Sequence, residues 1–407
     1  MKVLVSAWAC EPGRGSENEV GFRTVMAAAT RHEVWVITNP SAVAGLRRAL
    51  EGTDVADRIH LQALEFVVTG DKFEHLGMVG FQRYYGAWQR QAGRVAAELD
   101  SRVGFDVVHH ATLSSYWTRA GVASVNKPLV WGPVGGGVNP PRVLMAELGF
   151  RGILEDVART LSRPVLACLP SVRRAQRSAR VVFAQNLETA ARLRTKSEIR
   201  VLSNALATSV SAPSSSRNRS KEIFLVGRLL PWKLPTMAIR ALASMESGDA
   251  VLRIFGDGPE RTRVERLARS LGVIDRVVFE GWLSRPQLLD RLSRAGVLIH
   301  PSLHEEAGMC IAESLSLGTP VVTLQRGGPA QIAQQWPSHL SVCVPPANRK
   351  EIAKRFASAM DDFLVTPPPI PEAPVPARTS FEAEILDAYN VAAGERPVSG
   401  KRTHFAS

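Results

Sequence analysis

The sequence predicts an α/β protein of two doubly wound parallel-sheet domains, with a C-terminal helix that returns to the first. Short apolar segments alternate with longer helical stretches from end to end, the pattern of βαβ units. That alternation breaks once near the middle, at a Ser-, Asn- and Arg-rich stretch that reads as a linker. A chain of 407 residues is also too long for a typical single domain.

Taken in order, residues 1–207 are expected to form the first Rossmann-like domain. Its strands are expected near Lys2–Ala7, Glu33–Thr38, Ile59–Leu64, Val107–His110, Leu129–Trp131 and Val181–Ala184. The linker spans 208–221. The second Rossmann-like domain, 222–365, has strands near Ile223–Val226, Val251–Phe255, Val277–Phe279, Val297–His300, Pro320–Thr323 and Ser341–Val344. Six prolines between Thr366 and Pro376 forbid a helix, so 366–380 is a stiff second linker. Helical spacing resumes over 381–394. A helix set off from its own domain by such a spacer is expected to cross to the other one. Residues 395–407 read as a disordered tail.

Apolar content of 45% supplies an ample core. No apolar run reaches the length of a membrane span. The N-terminus enters a strand directly, with no apolar leader and cleavage site, so no secretory signal is expected. Cys10, Cys168, Cys310 and Cys343 are scattered without a C-x-x-C pair, which argues against a disulfide framework or a zinc site. A reducing cytoplasm fits. The net charge of +12 divides unevenly: 26 Lys+Arg against 18 Asp+Glu in 1–207, and 24 against 20 in 208–407. The sharpest block, 142–180, holds eight Arg and three acids. Such a half could meet an anionic membrane surface or a phosphorylated substrate, or could be a solvated Arg-rich face. Nothing resembles a nucleic-acid motif with interleaved aromatics, so no nucleic-acid partner is expected.

The most informative stretch is 302–322. A polar loop holding Glu305 runs into a short apolar helix that carries Glu313, and Gly318 stops it before Pro320-Val321-Val322 opens a strand. Backbone N–H groups at Gly308, Met309 and Cys310 would make an anion site at the helix start. An anion flanked by carboxylates suggests a phosphate carrying hydroxyls, as in a nucleotide sugar. A second signal is Phe224-Leu225-Val226-Gly227-Arg228 with Lys233 five residues on. Arg228 sits at the carboxyl end of a strand, where open α/β sheets bind ligands. A planar fork and a point charge suit a diphosphate. Gly256-Asp257-Gly258-Pro259 lacks the third glycine of a dinucleotide loop, so it reads as a structural turn.

The Glu-x7-Glu spacing of Glu305 and Glu313, with Gly308 between them and Gly318-Thr319-Pro320-Val321-Val322 after, resembles the signature of retaining glycosyltransferases of family GT4. So does Gly227-Arg228-Leu229 with Lys233. The resemblance implies the GT-B fold, two Rossmann-like domains facing a cleft, and transfer of a hexose from a nucleoside-diphosphate sugar to an acceptor hydroxyl. It implies that Glu305 contacts the donor sugar, Glu313 the ribose, and Arg228 and Lys233 the diphosphate. Trp282, in Phe279-Glu280-Gly281-Trp282, matches a segment lying near the nucleobase. Gly13 and Gly15, with Arg14 between them, match the first-domain loop that faces the donor. Asp106-Val107-Val108-His109-His110 resembles the family segment whose last histidine points at the sugar. Counting puts Ala111 there, leaving His110, His109 or neither for that role.

The chain departs from the family pattern at Glu306-Ala307, at Leu234 after the lysine, and at Gln331, where the element beginning Gly327-Gly328 usually ends in Glu. No cofactor is expected beyond the donor substrate. No metal is expected either, since no Asp-x-Asp ends an apolar strand. Sugar transfer in the first reading would build a lipid-linked, cell-envelope or exopolysaccharide glycan. A nucleotide-sugar epimerase of the same fold, or a catalytically silent sugar-nucleotide-binding protein, remains the alternative. Phe81, Tyr84, Tyr85 and Trp88 recur at helical spacing near Arg83, Arg90 and Arg94. They are either core or an interfacial helix meeting a membrane or lipid-linked acceptor at the inner face of the cytoplasmic membrane.

Overall fold

The protein is described from a computed structural model over residues 1–13, 16–65, 78–207, 210 and 219–395. Most of the 208–221 linker, Arg14, Gly15 and the tail beyond 395 lie outside the described residues. The chain divides into two units. The first comprises Met1–Gly137, Leu161–Ala207 and the residues from Ser380; the second comprises Val138–Thr160 and Thr208–Thr379.

Seven strands build the first unit: β1 (Lys2–Ser6), β2 (Glu33–Thr38), β3 (Ile59–Ala63), β4 (Val107–His110), β5 (Leu129–Val134), β6 (Ala179–Ala184) and β7 (Glu198–Val201). They pair in parallel in the order β3-β2-β1-β4-β5-β6-β7. Six were legible as apolar runs because a parallel sheet covered on both faces needs no polar alternation. The seventh, Glu-Ile-Arg-Val, was not. Its Glu198 is buried by pairing with Arg200 at 2.7 Å, and Arg200 also reaches Asp387 at 2.8 Å.

The second unit has β8 (Glu222–Val226), β9 (Val251–Phe255), β10 (Val277–Gly281), β11 (Val297–His300), β12 (Val321–Leu324) and β13 (Ser341–Val344), parallel in the order β10-β9-β8-β11-β12-β13. Its core gathers residues from the strands and from helices such as Pro235–Leu242 and Arg349–Val365. Leu144 and Leu148 join that same core. Residues 138–160 therefore pack with the second unit, not with the first domain to which the sequence order assigned them. The Pro-rich stretch is also no free spacer. Val375 N–H donates to Ser316 O at 2.7 Å, Trp336 Nε1 donates to Val375 O at 2.8 Å, and Arg378 N–H donates to Gln335 O at 2.9 Å.

The terminal helix Phe381–Ala393 belongs to the first unit. Ser380 caps its start by accepting from Ala383 N–H, and Gly394, at φ 84°, ends it in the left-handed region that favours glycine. Phe381, Ile385, Ala388, Tyr389 and Ala392 form one buried face in the first-unit core. Arg23 pairs with Glu382 on the flank. The aromatic stripe is core as well: Tyr85 and Trp88 are buried, with Phe81 stacked on Tyr85 at 6.0 Å and Tyr85 on Trp88 at 6.1 Å. Tyr85 Oη donates to Thr112 O at 2.9 Å. The interfacial reading of that stripe is thereby corrected.

Candidate active site

In the second sheet the strand order reverses between β8 and β11, which opens a crevice outside their carboxyl ends. Gly227 and Arg228 follow β8 there. A Cβ on Gly256 would fall 2.3 Å from Gly227 O, and one on Gly258 would fall 2.5 Å from Leu229 O. Leu229 N–H donates to Asp257 O at 3.0 Å. The Gly256–Pro259 turn thus acts by close backbone packing against the segment that presents Arg228. Arg228 itself is exposed and makes no ion pair among the described residues.

Lys233 closes a short 3-10 turn, Pro231–Lys233, and the next residue, Leu234, is left-handed at φ 50° and ψ 50°. That conformation costs a residue with a side chain about 1 kcal/mol. Here the Leu234 side chain is buried in the second core, which offsets the cost. The turn also grips the loop after β11. Leu303 N–H donates to Trp232 O at 2.8 Å, and His304 stacks on Trp232 at 5.6 Å.

Glu305 lies in that loop, ion-paired with Lys233, both side chains partly buried. Burial pulls the Glu305 carboxyl upward, but the Lys233 ammonium and His300 outweigh it and hold it below the ordinary carboxylate range. Burial likewise pulls Lys233 down, and Glu305 more than reverses this. Glu305 is therefore a fixed carboxylate and a poor proton donor. Its backbone is clamped as well: Gly328 N–H donates to Glu305 O at 3.1 Å, and a Cβ at Gly328 would meet Glu306 O at 2.1 Å. Glu306 does not project as a loose charge, since Oε1 accepts from Val138 N–H at 3.2 Å.

Gly308, left-handed at φ 78°, starts the helix Met309–Ser316. The first amides of that helix, at Met309 and Cys310, have no intrahelical acceptor. Burial pushes the Cys310 thiol up to about 12, so it stays protonated; its Sγ lies 3.6 Å from His300 Nδ1. Glu313 is buried on the helix, and Oε1 accepts from Arg285 Nε at 3.1 Å. The sequence offered no sign of Arg285. Trp282 stands 65% exposed after β10, an open aromatic surface. Among the described residues no group of three or more His, Cys, Asp or Glu is placed to hold a metal.

The other candidates belong to the first unit. Gly13 is left-handed at φ 78°, and its N–H donates to Glu19 Oε2 at 3.3 Å; Gly15 lies outside the described residues. His109 is a core residue. Its Nε2 lies 2.8 Å from Gly132 O, a carbonyl that can only accept, so Nε2 carries the proton. Nδ1 then accepts from Tyr389 Oη at 2.8 Å. With both nitrogens engaged inside the first unit, His109 is a structural residue that ties β4 to the terminal helix. His110, at the carboxyl end of β4, is buried with neither ring nitrogen bonded.

Burial depresses three histidines well below their ordinary value of 6.5: His109 to about 4, His110, also beside His109, to about 3, and His300, also beside Lys233, to about 4. The unfolded chain takes up these protons first as pH falls below 6.5, so each histidine removes about 1 kcal/mol of stability per pH unit until its folded value is reached. Thermal melts are expected to be flat near neutrality and to drop steeply between pH 6.5 and about 4. His110→Asn should give a shallower drop; an unchanged slope would contradict the assignment.

Residues 209–364 match the family described as Glycosyl transferases group 1. The match takes in strands β8 to β13. Among curated proteins, the 2-deoxystreptamine glucosyltransferase of Streptomyces kanamyceticus is 32% identical over 143 residues, covering 34% of this chain and 36% of that protein. The match thus spans about a third of that relative. Two solved structures resemble nearly the whole chain. Anabaena HepE in complex with UDP has a TM-score of 0.55 at 17% identity, covering 97% of this chain and 98% of its own. The apo lipopolysaccharide outer core galactosyltransferase WaaB has a TM-score of 0.57 at 15% identity, covering 97% and 99%. At such identities the likeness concerns the fold, and that fold is GT-B. The matched stretch contains both strands that flank the crevice, β8 and β11.

Proposed function

We propose that the protein is a retaining, GT4-type glycosyltransferase that moves a hexose from a nucleoside-diphosphate sugar to an acceptor hydroxyl without a metal. The observation that carries this reading is the charge arrangement at the β8–β11 switch point. Arg228, Lys233 and the amides starting at Met309 offer positive charge to a diphosphate. Glu313 offers a carboxylate to ribose hydroxyls, Trp282 a flat face to a nucleobase, and Glu305 a fixed carboxylate to the sugar. The acceptor hydroxyl would attack on the face the diphosphate leaves, and the departing diphosphate would take its proton. The cations would then stabilise the charge that develops on it. His110 has unbonded ring nitrogens at a strand's carboxyl end and is the histidine suited to a sugar hydroxyl; His109 is not. Glu305, held ionised, fits an epimerase acid poorly.

The test incubates candidate nucleotide sugars with the protein and a bacterial lipid extract. Sugar transfer that is unaffected by EDTA is expected. An isomerised donor would assign an epimerase, no reaction a binding protein, and activity restored only by Mg²⁺ or Mn²⁺ would refute the metal-free site.

The acceptor proposed is a lipid-linked or envelope glycan, reached by reversible contact with an anionic membrane. With the aromatic stripe in the core, support comes from a different part of the first unit. Leu161, Val165, Leu166 and Leu169 are exposed and run directly into exposed Arg173, Arg174 and Arg177. No described helix is long and apolar enough to cross a membrane. Each well-placed arginine adds about 1 kcal/mol at an anionic surface. In flotation assays the protein is expected to bind phosphatidylglycerol vesicles at low salt and to release at high salt. Replacing the three arginines by alanine should weaken it. Indifference to anionic vesicles at low salt would point to a soluble acceptor.

A further inference from the structure

The first unit contains a cavity of about 410 Å³, lined by Tyr116, Cys168, Gln176 and four arginines, Arg173, Arg177, Arg192 and Arg194, with no carboxylate in its wall. Its size is that of a small-molecule site. Residues 161–207 as a whole carry nine Lys+Arg against two acids, and one of those acids, Glu198, is taken by Arg200. Arg173, Arg177 and Arg194 form no ion pair among the described residues. The same positive field reaches nearby Arg119, whose guanidinium is lowered by burial and then by Arg90 and Arg174. Like charges gathered around one hollow repel each other, and planar guanidinium forks match phosphoryl oxygens two at a time. On the wall, Gln176 Nε2 donates to Tyr116 O at 3.4 Å.

We propose that this cavity binds a phosphate or diphosphate group, and that the group belongs to a phosphorylated acceptor. The second half of that statement rests on the glycosyl-transfer reading; the anion site does not. The four arginines lie in the first unit, whereas the donor residues Arg228 and Lys233 lie in the second. The chain would then have two separate phosphate sites, one for each substrate.

Calorimetric titration of the full chain with inorganic pyrophosphate tests this. It is run in an Arg228→Ala, Lys233→Ala background so that the donor site does not contribute. Adding Arg177→Ala and Arg194→Ala is expected to weaken binding about tenfold or more, the scale of losing charge-assisted hydrogen bonds. Arg47→Ala with Arg48→Ala removes the same charge from exposed positions of the first unit outside the cavity wall. That pair should change binding by less than about threefold. Equal losses from the two pairs, or no pyrophosphate binding in the background, would overturn the site. With the cavity pair verified, dioctanoyl phosphatidic acid separates the sources. Tighter binding than pyrophosphate assigns a lipid-borne phosphate, and weaker binding a soluble phosphorylated glycan. Nucleoside-diphosphate affinity that is unchanged by the Arg228→Ala, Lys233→Ala pair would defeat the donor reading and leave the cavity result standing.

Discussion

Lys233→Ala is expected to lower kcat/KM by on the order of 10²-fold or more, the usual scale for losing a preorganised donor to the transition state. Two effects add. The proposed diphosphate site loses one of its two cations, and Glu305 loses the partner that keeps its carboxylate low, so a bare negative charge would face the incoming donor. Lys233→Arg should recover only part of the loss, because the partly buried turn was built around a slimmer side chain. Arg228→Ala should cost a similar factor without this second effect, since Arg228 has no ion-pair partner among the described residues. Steady-state kinetics on the variants, with melting curves to verify the fold, provide the check. An Arg228→Ala variant with wild-type kcat/KM would remove Arg228 from the diphosphate.

Glu305→Gln should separate turnover from binding. The uncharged amide no longer competes with the diphosphate for Lys233, so a free nucleoside diphosphate should bind as tightly as before or several-fold more tightly. Turnover should nonetheless fall by about 10²-fold or more, because the fixed carboxylate proposed to meet the sugar is gone. The fold should survive, since Glu305 lies in a loop whose backbone is held by Gly328 and Trp232. Weaker nucleotide binding together with unchanged kcat would place Glu305 at the nucleotide and not at the sugar.

Much of the fold was legible because buried parallel strands must be apolar along their length, and runs such as Val297-Leu298-Ile299 announce themselves. β7 did not, since half its residues are charged, and its burial depends on Arg200 meeting acids of a helix far along the chain. The placement of residues 138–160 depended on where Leu144 and Leu148 pack, which no local composition shift betrays. Within the site, sequence spacing tied Glu305 and Glu313 to one helix start and Arg228 to a strand end. It could not pair Lys233 with Glu305, 72 residues apart, or Glu313 with Arg285, 28 residues apart. The two adjacent histidines looked equivalent until Tyr389, 280 residues away, took up His109.

The proposed reaction requires a diphosphate held at the β8–β11 switch point of the second unit. Calorimetric titration with UDP, GDP and ADP tests that most directly, using wild type, Glu313→Ala and an Arg228→Ala, Lys233→Ala pair. At least one nucleotide should bind wild type. The cation pair should weaken that nucleotide by about 10²-fold or more while leaving the free nucleoside unaffected, and Glu313→Ala should cost about 1.5–3 kcal/mol. Equal affinity in wild type and the cation pair, or no binding of any of the three nucleotides, would contradict it.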